Sequence, residues 1–263
     1  GRVTVSEPTN QAQRRQYLIR TLLEEQPRYR NIPIPGDAGE QERLLRSLMN
    51  VRPPRPIGER FLAVQDQYLR ETRGECTDIA DLTPSAEGLY LWQGDITTLR
   101  CDAIVNAANR GMTGCYVPCH RCIDNCIHTR AGVQLRLECA SLMAKQGHEE
   151  ATGRAKITGA YNLPCRYVIH TVGPVVSGAL TEREEAQLAS CYLSCLKLAE
   201  ENGLKSIAFC CISTGEFHFP NDRAAEIAVK TVRTYRTNAE MKVIFNVFKD
   251  IDYQLYQQLL AAD

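Results

Sequence analysis

A three-layer α/β architecture with a mixed but largely parallel sheet, preceded by a helical extension, is the fold class predicted by this 263-residue sequence. Two observations carry the prediction. From Leu89 onward, short apolar runs suited to buried strands alternate with longer stretches of helical periodicity. That alternation marks strand–helix–strand units, whose strands pair in parallel and are covered on both faces. Residues 1–85 differ: they contain arginine but no lysine, two proline-rich breaks and three short amphipathic patterns, and are poor in strands.

In the extension, Tyr17, Leu18, Thr21 and Leu22 share one helical face, Leu44, Leu45 and Leu48 a second, and Phe61, Val64, Tyr68 and Leu69 a third. With breaks at Asn31–Pro35 and Arg52–Ile57, this predicts two or three short helices. So few apolar residues make a marginal core. Residues 1–85 are therefore expected to lie against the domain formed by 86–263. Downstream, Ala103–Ala107, Tyr167–Thr171, Ser206–Cys211 and Val243–Phe248 read as buried strands, and Asp124–Gln146, Arg183–Asn202, Asn221–Thr234 and Asp250–Leu260 as helices.

Thirty-one basic and 31 acidic residues leave no net charge, so no field draws the chain to nucleic acid or anionic lipid. No apolar run approaches the ~18 residues of a membrane span. Neither nucleic acid nor membrane is an expected partner. Twelve cysteines would suit a disulfide scaffold in a small secreted chain. This chain is long, with no signal-like apolar segment and no Asn-x-Ser/Thr acceptor, which predicts reduced cysteines and a cytoplasmic location.

The densest chemistry lies in Gly114–His128, which holds four cysteines, two histidines and a carboxylate. Zinc favours thiolate and imidazole in tetrahedral geometry, and a catalytic zinc keeps three protein ligands and one open position. Cys115, His120 and Cys122 can supply the three. Cys119, immediately before His120, is an alternative fourth ligand that would close the site and make it structural. Cys101, Cys139, Cys165, Cys191, Cys195, Cys210 and Cys211 read as core residues.

The loop follows Asp102–Asn109, an apolar run ending in two asparagines. In open α/β sheets, ligands bind at that carboxyl end of a strand. Farther on, Ser213-Thr214-Gly215-Glu216-Phe217 opens onto the helix near Asn221, and backbone amides in such a loop can cradle an anion, although a structural turn would use the same residues.

Gly94-Asp95-Ile96, Val105-Asn106-Ala107-Ala108-Asn109, Ile169-His170-Thr171-Val172-Gly173-Pro174 and Ser213-Thr214-Gly215 occur in the order found in macrodomains. The region 89–260 resembles that ADP-ribose-binding fold. Hydrolytic MacroD-type members carry a glycine-rich loop before Val-Asp; here a Cys/His insertion precedes Ile123-Asp124, as in the zinc-dependent branch of macrodomain hydrolases. The resemblance implies that Asp95 accepts from the adenine amino group while the Ile96 backbone touches the same ring, although Asp95 is also an ordinary turn residue.

Asn106 and Asn109 would lie at the ligand, with Asn109 facing the distal ribose. Ser213, Thr214, Gly215, Glu216 and Phe217 would hold the pyrophosphate, and Phe217 would close over it. Phe248 would cover adenine, unless it is a core aromatic. Zn2+ on Cys115, His120 and Cys122 would grip ribose hydroxyls or a water. Asp124 would orient or deprotonate that water, and its carboxylate would also favour the helix dipole. The implied activity is removal of mono-ADP-ribose from modified protein side chains, through an Asp or Glu ester, with ADP-ribose and mono-ADP-ribosylated protein as partners. The alternative is a non-catalytic ADP-ribose reader, which needs neither metal nor Asp124.

Overall fold

The computed structural model describes residues 7–236 and 240–262; residues 1–6 of the extension and Asp263 at the chain end lie outside it. Three helices open the chain: α1 (Gln11–Glu24), α2 (Ala38–Val51) and α3 (Glu59–Arg73). Asn10 and Asp37 start the first two by accepting from the amides of Gln13 and Glu40, which satisfies N–H groups that a helix terminus leaves orphaned. Of the predicted faces, Tyr17, Thr21 and Leu44 are half-buried and the other residues are buried. Leu18, Leu22, Leu45, Leu48, Phe61, Val64, Tyr68 and Leu69 form an apolar cluster separate from the sheet core.

The extension therefore has a small core of its own, and polar contacts stitch it to the body. Gln65 accepts from the Val133 amide at 2.9 Å, Arg70 donates to Asn162 Oδ1 at 3.1 Å, and the Asn162 amide returns a bond to Asp66 at 2.8 Å.

Eight strands follow among the described residues: β1 (Thr77–Asp78), β2 (Leu89–Gln93), β3 (Leu99–Arg100), β4 (Ala103–Ala107), β5 (Ala155–Gly159), β6 (Tyr167–Thr171), β7 (Ser206–Phe209) and β8 (Lys242–Val247). The β1–β3 pair stands apart, and the main sheet runs β2-β8-β7-β4-β6-β5. Every pairing in it is parallel except β5 on β6 at the edge. Ile104, Val105, Val168, Ile169, Ile207, Ala208, Val243 and Ile244 are fully buried, as strands covered on both faces require.

Helices α6 (Glu182–Glu201), α7 (Asn221–Arg236) and α8 (Asp250–Ala261) form one layer. Helices α4 (Ile123–Ala131) and α5 (Val133–Gln146) form the other, and α2 and α3 pack on α4. None of the described helices is long and apolar enough to cross a membrane.

The sequence predicted one helix over Asp124–Gln146; the structure has two. Gly132 breaks them at φ 104°, in a region L side chains rarely adopt, and a Cβ there would lie 2.7 Å from Gln65 Nε2. The break bends the chain where the extension docks. Strand β5 was not predicted, because Ala155–Gly159 is a half-buried edge with no strong apolar run.

Candidate active site

The carboxyl ends of the parallel strands converge on one edge of the sheet. Asp95 follows β2, Phe248 follows β8, the 213–217 loop follows β7, and Asn109 with the Cys/His loop follows β4. Since Gln93 pairs with Val247, Asp95 and Phe248 leave adjacent strands side by side, and Gln93 Nε2 donates to the Phe248 carbonyl at 3.1 Å.

Asp95 caps the 3-10 turn Ile96–Thr98, its Oδ1 accepting from the Thr97 amide at 2.9 Å and hydroxyl at 2.7 Å. The carboxylate is thus fixed at an exposed strand end while the Ile96 side chain is buried. Phe248 is 82 % exposed, which removes the reading of it as a core aromatic.

Asn109 is exposed but rigidly held. Its Oδ1 accepts from the Met112 amide and its Nδ2 donates to the Gly114 carbonyl, both at 3.1 Å. Asn106 has a different place from the ligand contact expected of it. It is wholly buried, and Nδ2 donates to Asp124 Oδ1 at 2.8 Å and reaches His170 Nδ1 at 3.1 Å. The amide nitrogen fixes the carboxyl, while Asn106 Oδ1 has no hydrogen-bond partner among the described residues.

Asp124 lies in the first turn of α4 and is 5 % exposed. Burial pushes its carboxyl up to about 6, against the Asn106 hydrogen bond and the Arg136 charge, which both lower it. Behind it stand His170, bonded to Thr158 at 2.9 Å, and His128, with Nε2 3.6 Å from Asp124 Oδ1. That separation is too long for a hydrogen bond. It is no ion pair either, because burial, with His170 and Arg136 nearby, holds His128 neutral. Burial also holds His170 neutral, at about 4. His128, Cys139 and His170 form a second, fully buried group of donor atoms, in which His170 is hydrogen-bonded to Asn106 and Thr158.

In the Cys/His loop, the ligand atoms of Cys115, His120 and Cys122 lie within 4.8 Å of one another, each residue half-buried. Burial, reinforced by the neighbouring Cys115 and opposed by the Asn125 amide, pushes the Cys122 thiol up to about 12. A soft cation would reverse that balance by taking thiolate as ligand, so the donor set fits zinc. Cys119 turns away: its sulfur lies 3.2 Å from Ser47 Oγ of α2 and outside the cluster. The three donor atoms of Cys115, His120 and Cys122 therefore stand together without the Cys119 sulfur. His120 Nδ1 accepts from the Cys122 amide at 3.2 Å, and Nε2 lies 2.7 Å from Glu216 Oε1. That contact puts the Cys/His loop and the 213–217 loop in one cleft.

The 213–217 loop leaves its amides available. Among the described residues, the N–H groups of Gly215, Glu216 and Phe217 donate to no protein acceptor. Around them the turn is closed by Thr214 Oγ1 to the Cys211 carbonyl, Phe219 N to Ser213 O, and Val176 N to Phe217 O. Free amides beside a helix N-terminus are a physical basis for anion binding.

Comparison with known proteins decides the family. Residues 105–228 match the Macro domain. A Treponema medium protein named Protein-ADP-ribose hydrolase is 59 % identical over 259 residues, covering 95 % of this chain and 99 % of its own. The chain belongs to the macrodomain family.

A Staphylococcus aureus protein of the same name, from strain MSSA476, is 49 % identical over 95 % of this chain and 96 % of its own. Among solved structures, the Trypanosoma brucei macrodomain in complex with ADP-ribose superposes with a TM-score of 0.64 at 30 % identity, over 82 % of this chain and 94 % of that one. The Oceanobacillus iheyensis macrodomain with ADP gives 0.60 at 35 % identity, over 65 % and 89 %.

Sequence reasoning missed Arg136. It is 6 % exposed and donates to the carbonyls of Thr113, Cys115, Asn50 and Arg52, tying three segments together. The only signal was an arginine beside Leu135 within a helical pattern, which tertiary packing alone turns inward.

Proposed function

We propose that this macrodomain is a protein-ADP-ribose hydrolase that removes mono-ADP-ribose from modified side chains, with zinc held by Cys115, His120 and Cys122. The observation that carries the reading is Asp124: a desolvated carboxyl fixed by Asn106 and placed two residues from a ligand of the Cys/His cluster. Adenine would lie between Asp95 and Phe248, the pyrophosphate on the amides of 215–217, and the distal ribose against Asn109. Zinc, when bound, supplies a Lewis acid and a template for oxygen ligands.

The chain's own residues do the rest. Asn106 holds Asp124 Oδ1, and Oδ2 carries no protein hydrogen bond among the described residues. Oδ2 takes a proton from the attacking water as its oxygen bonds to C1″ of the distal ribose. The bond from C1″ to the ester oxygen of the modified Asp or Glu breaks with its electron pair, which frees the carboxylate. ADP-ribose leaves with a hydroxyl at C1″, and the proton passes from Asp124 to solvent. General-base assistance of this kind is worth roughly 10²- to 10⁴-fold in rate. The twelve unpaired cysteines support a reducing, cytoplasmic setting.

The test combines metal content with product release. Full-length protein should copurify with zinc, release ADP-ribose from a protein mono-ADP-ribosylated on glutamate, and lose release but not ADP-ribose binding after chelation. Release that survives complete chelation would reject the metal, and binding without release would leave a reader.

A further inference from the structure

The Cys/His loop is not held by its own domain alone. Arg46 of α2, 74 positions before His120, directs Nη2 to the His120 carbonyl at 2.8 Å and to Asn125 Oδ1 at 3.0 Å. Asn125 in turn donates its amide N–H to Cys122 Sγ at 3.4 Å and its side-chain amide to the Val117 carbonyl at 2.9 Å. One guanidinium therefore grips the backbone of one candidate ligand and the residue bonded to the sulfur of another.

Four positions on in α2, Asn50 is 2 % exposed. Its Oδ1 accepts from the Cys119 amide at 2.8 Å, and its Nδ2 donates to Thr129 Oγ1 of α4 at 3.1 Å. Cys119 is held at φ 57°, a left-handed conformation unfavourable for a residue with a Cβ. It persists only where its surroundings hold it. Arg136 completes the arrangement by joining the Cys115 carbonyl to the carbonyls of Asn50 and Arg52.

We propose that α2 of the N-terminal extension sets the geometry of the metal loop, with Arg46 and Asn50 as positioning residues for zinc; this rests on the zinc reading above. The ligands sit on an irregular segment with no ladder of backbone bonds to fix it. Ordering such a segment costs conformational entropy at every residue. A bracket already in place removes that cost from the binding event, as outer-shell partners do for metal ligands. The extension is thereby part of the site rather than an appendage.

The experiment measures zinc affinity by chelator competition in the full-length wild type, Arg46→Ala, Asn50→Ala and, as a control, Arg60→Ala. Arg60 lies on α3 and pairs with Glu7, away from the loop. ADP-ribose affinity of each zinc-free protein is measured in parallel, as a readout that a general folding defect would also move. Zinc should bind about 10- to 100-fold more weakly in the Arg46 and Asn50 variants, with ADP-ribose affinity and the control unchanged. Wild-type zinc affinity in both variants overturns the proposal, as does a matching loss of ADP-ribose binding in both. A wild type that binds no zinc rejects the zinc reading itself, and this inference with it.

Discussion

Asn106 Nδ2 stands 2.8 Å from Asp124 Oδ1, and the amide that holds the carboxyl is wholly buried. The pair separates stability from function, because one carboxyl is both desolvated and placed for chemistry. Asp124→Asn keeps the acceptor that Asn106 needs while removing the charge. Folded, the carboxyl titrates at about 6; unfolded, near ~3.9. The folded zinc-free protein thus holds this proton more tightly, and the stabilisation present at low pH is lost as pH rises from ~4 to ~6. Above that range the ionised group costs on the order of 3 kcal/mol, at ~1.4 kcal/mol for each factor of ten in its proton affinity.

Zinc-free Asp124→Asn should therefore be more stable than wild type at pH 8, by an amount that shrinks towards pH 4. With zinc restored, the variant's turnover should fall roughly 10²- to 10⁴-fold relative to zinc-loaded wild type. Urea titrations over that range, alongside single-turnover assays, check both halves. Near-normal turnover would remove Asp124 from the mechanism.

The parts of this arrangement legible in sequence were the local ones. Ala103–Ala107 and Tyr167–Thr171 each carry a short apolar core, Ala103-Ile104-Val105 and Tyr167-Val168-Ile169, and the strands span the predicted residues. Cys115, His120 and Cys122 were readable as a group because they lie within one short loop. The hold of Asn106 on Asp124 was not legible because the two lie 18 positions apart, and a strand-end asparagine looks the same in sequence whether it faces the cleft or the core. Arg46 gave no sign at all: one arginine on an amphipathic helix resembles any other until the fold brings His120 against it.

Cys122 serves both as candidate ligand and as N-cap of α4, its sulfur accepting from the Asn125 amide. Cys122→Ser keeps an oxygen for the cap but replaces the soft ligand. The variant should lose bound zinc and turnover while its melting temperature stays close to that of zinc-free wild type. Metal analysis and thermal unfolding on one preparation decide this, and full zinc occupancy would reject the ligand assignment.

At the proposed adenine end, Phe248 is too exposed to support the fold, so its truncation reads binding alone. Phe248→Ala should weaken ADP-ribose binding by about 1–3 kcal/mol, the usual worth of one base–aromatic stack, with no change in unfolding. Asp95→Ala should cost a similar ~1–3 kcal/mol by removing a charged acceptor. It should also lower stability slightly, because Thr97 loses its cap. Calorimetric titration of the two variants tests the site; affinities unchanged in both would put adenine elsewhere.

Gly173 lies against the back of the 213–217 loop. A Cβ there would clash with Ser213 Oγ and come within 2.9 Å of Ile212 Cγ2. Ser213 is itself at φ 67° and buried, and its hydroxyl has no hydrogen-bond partner among the described residues, so the loop has little room to give way. Gly173→Ala should displace the loop, cost about 1–3 kcal/mol of stability as overpacking does, and weaken ADP-ribose binding. Ser213→Ala removes the nearest clashing atom without breaking a protein hydrogen bond. Made alone it should change little, and combined with Gly173→Ala it should recover part of the lost affinity. Residues in contact couple in a double-mutant cycle, whereas distant ones add. Strict additivity between the two substitutions would mean that Gly173 does not support the phosphate loop.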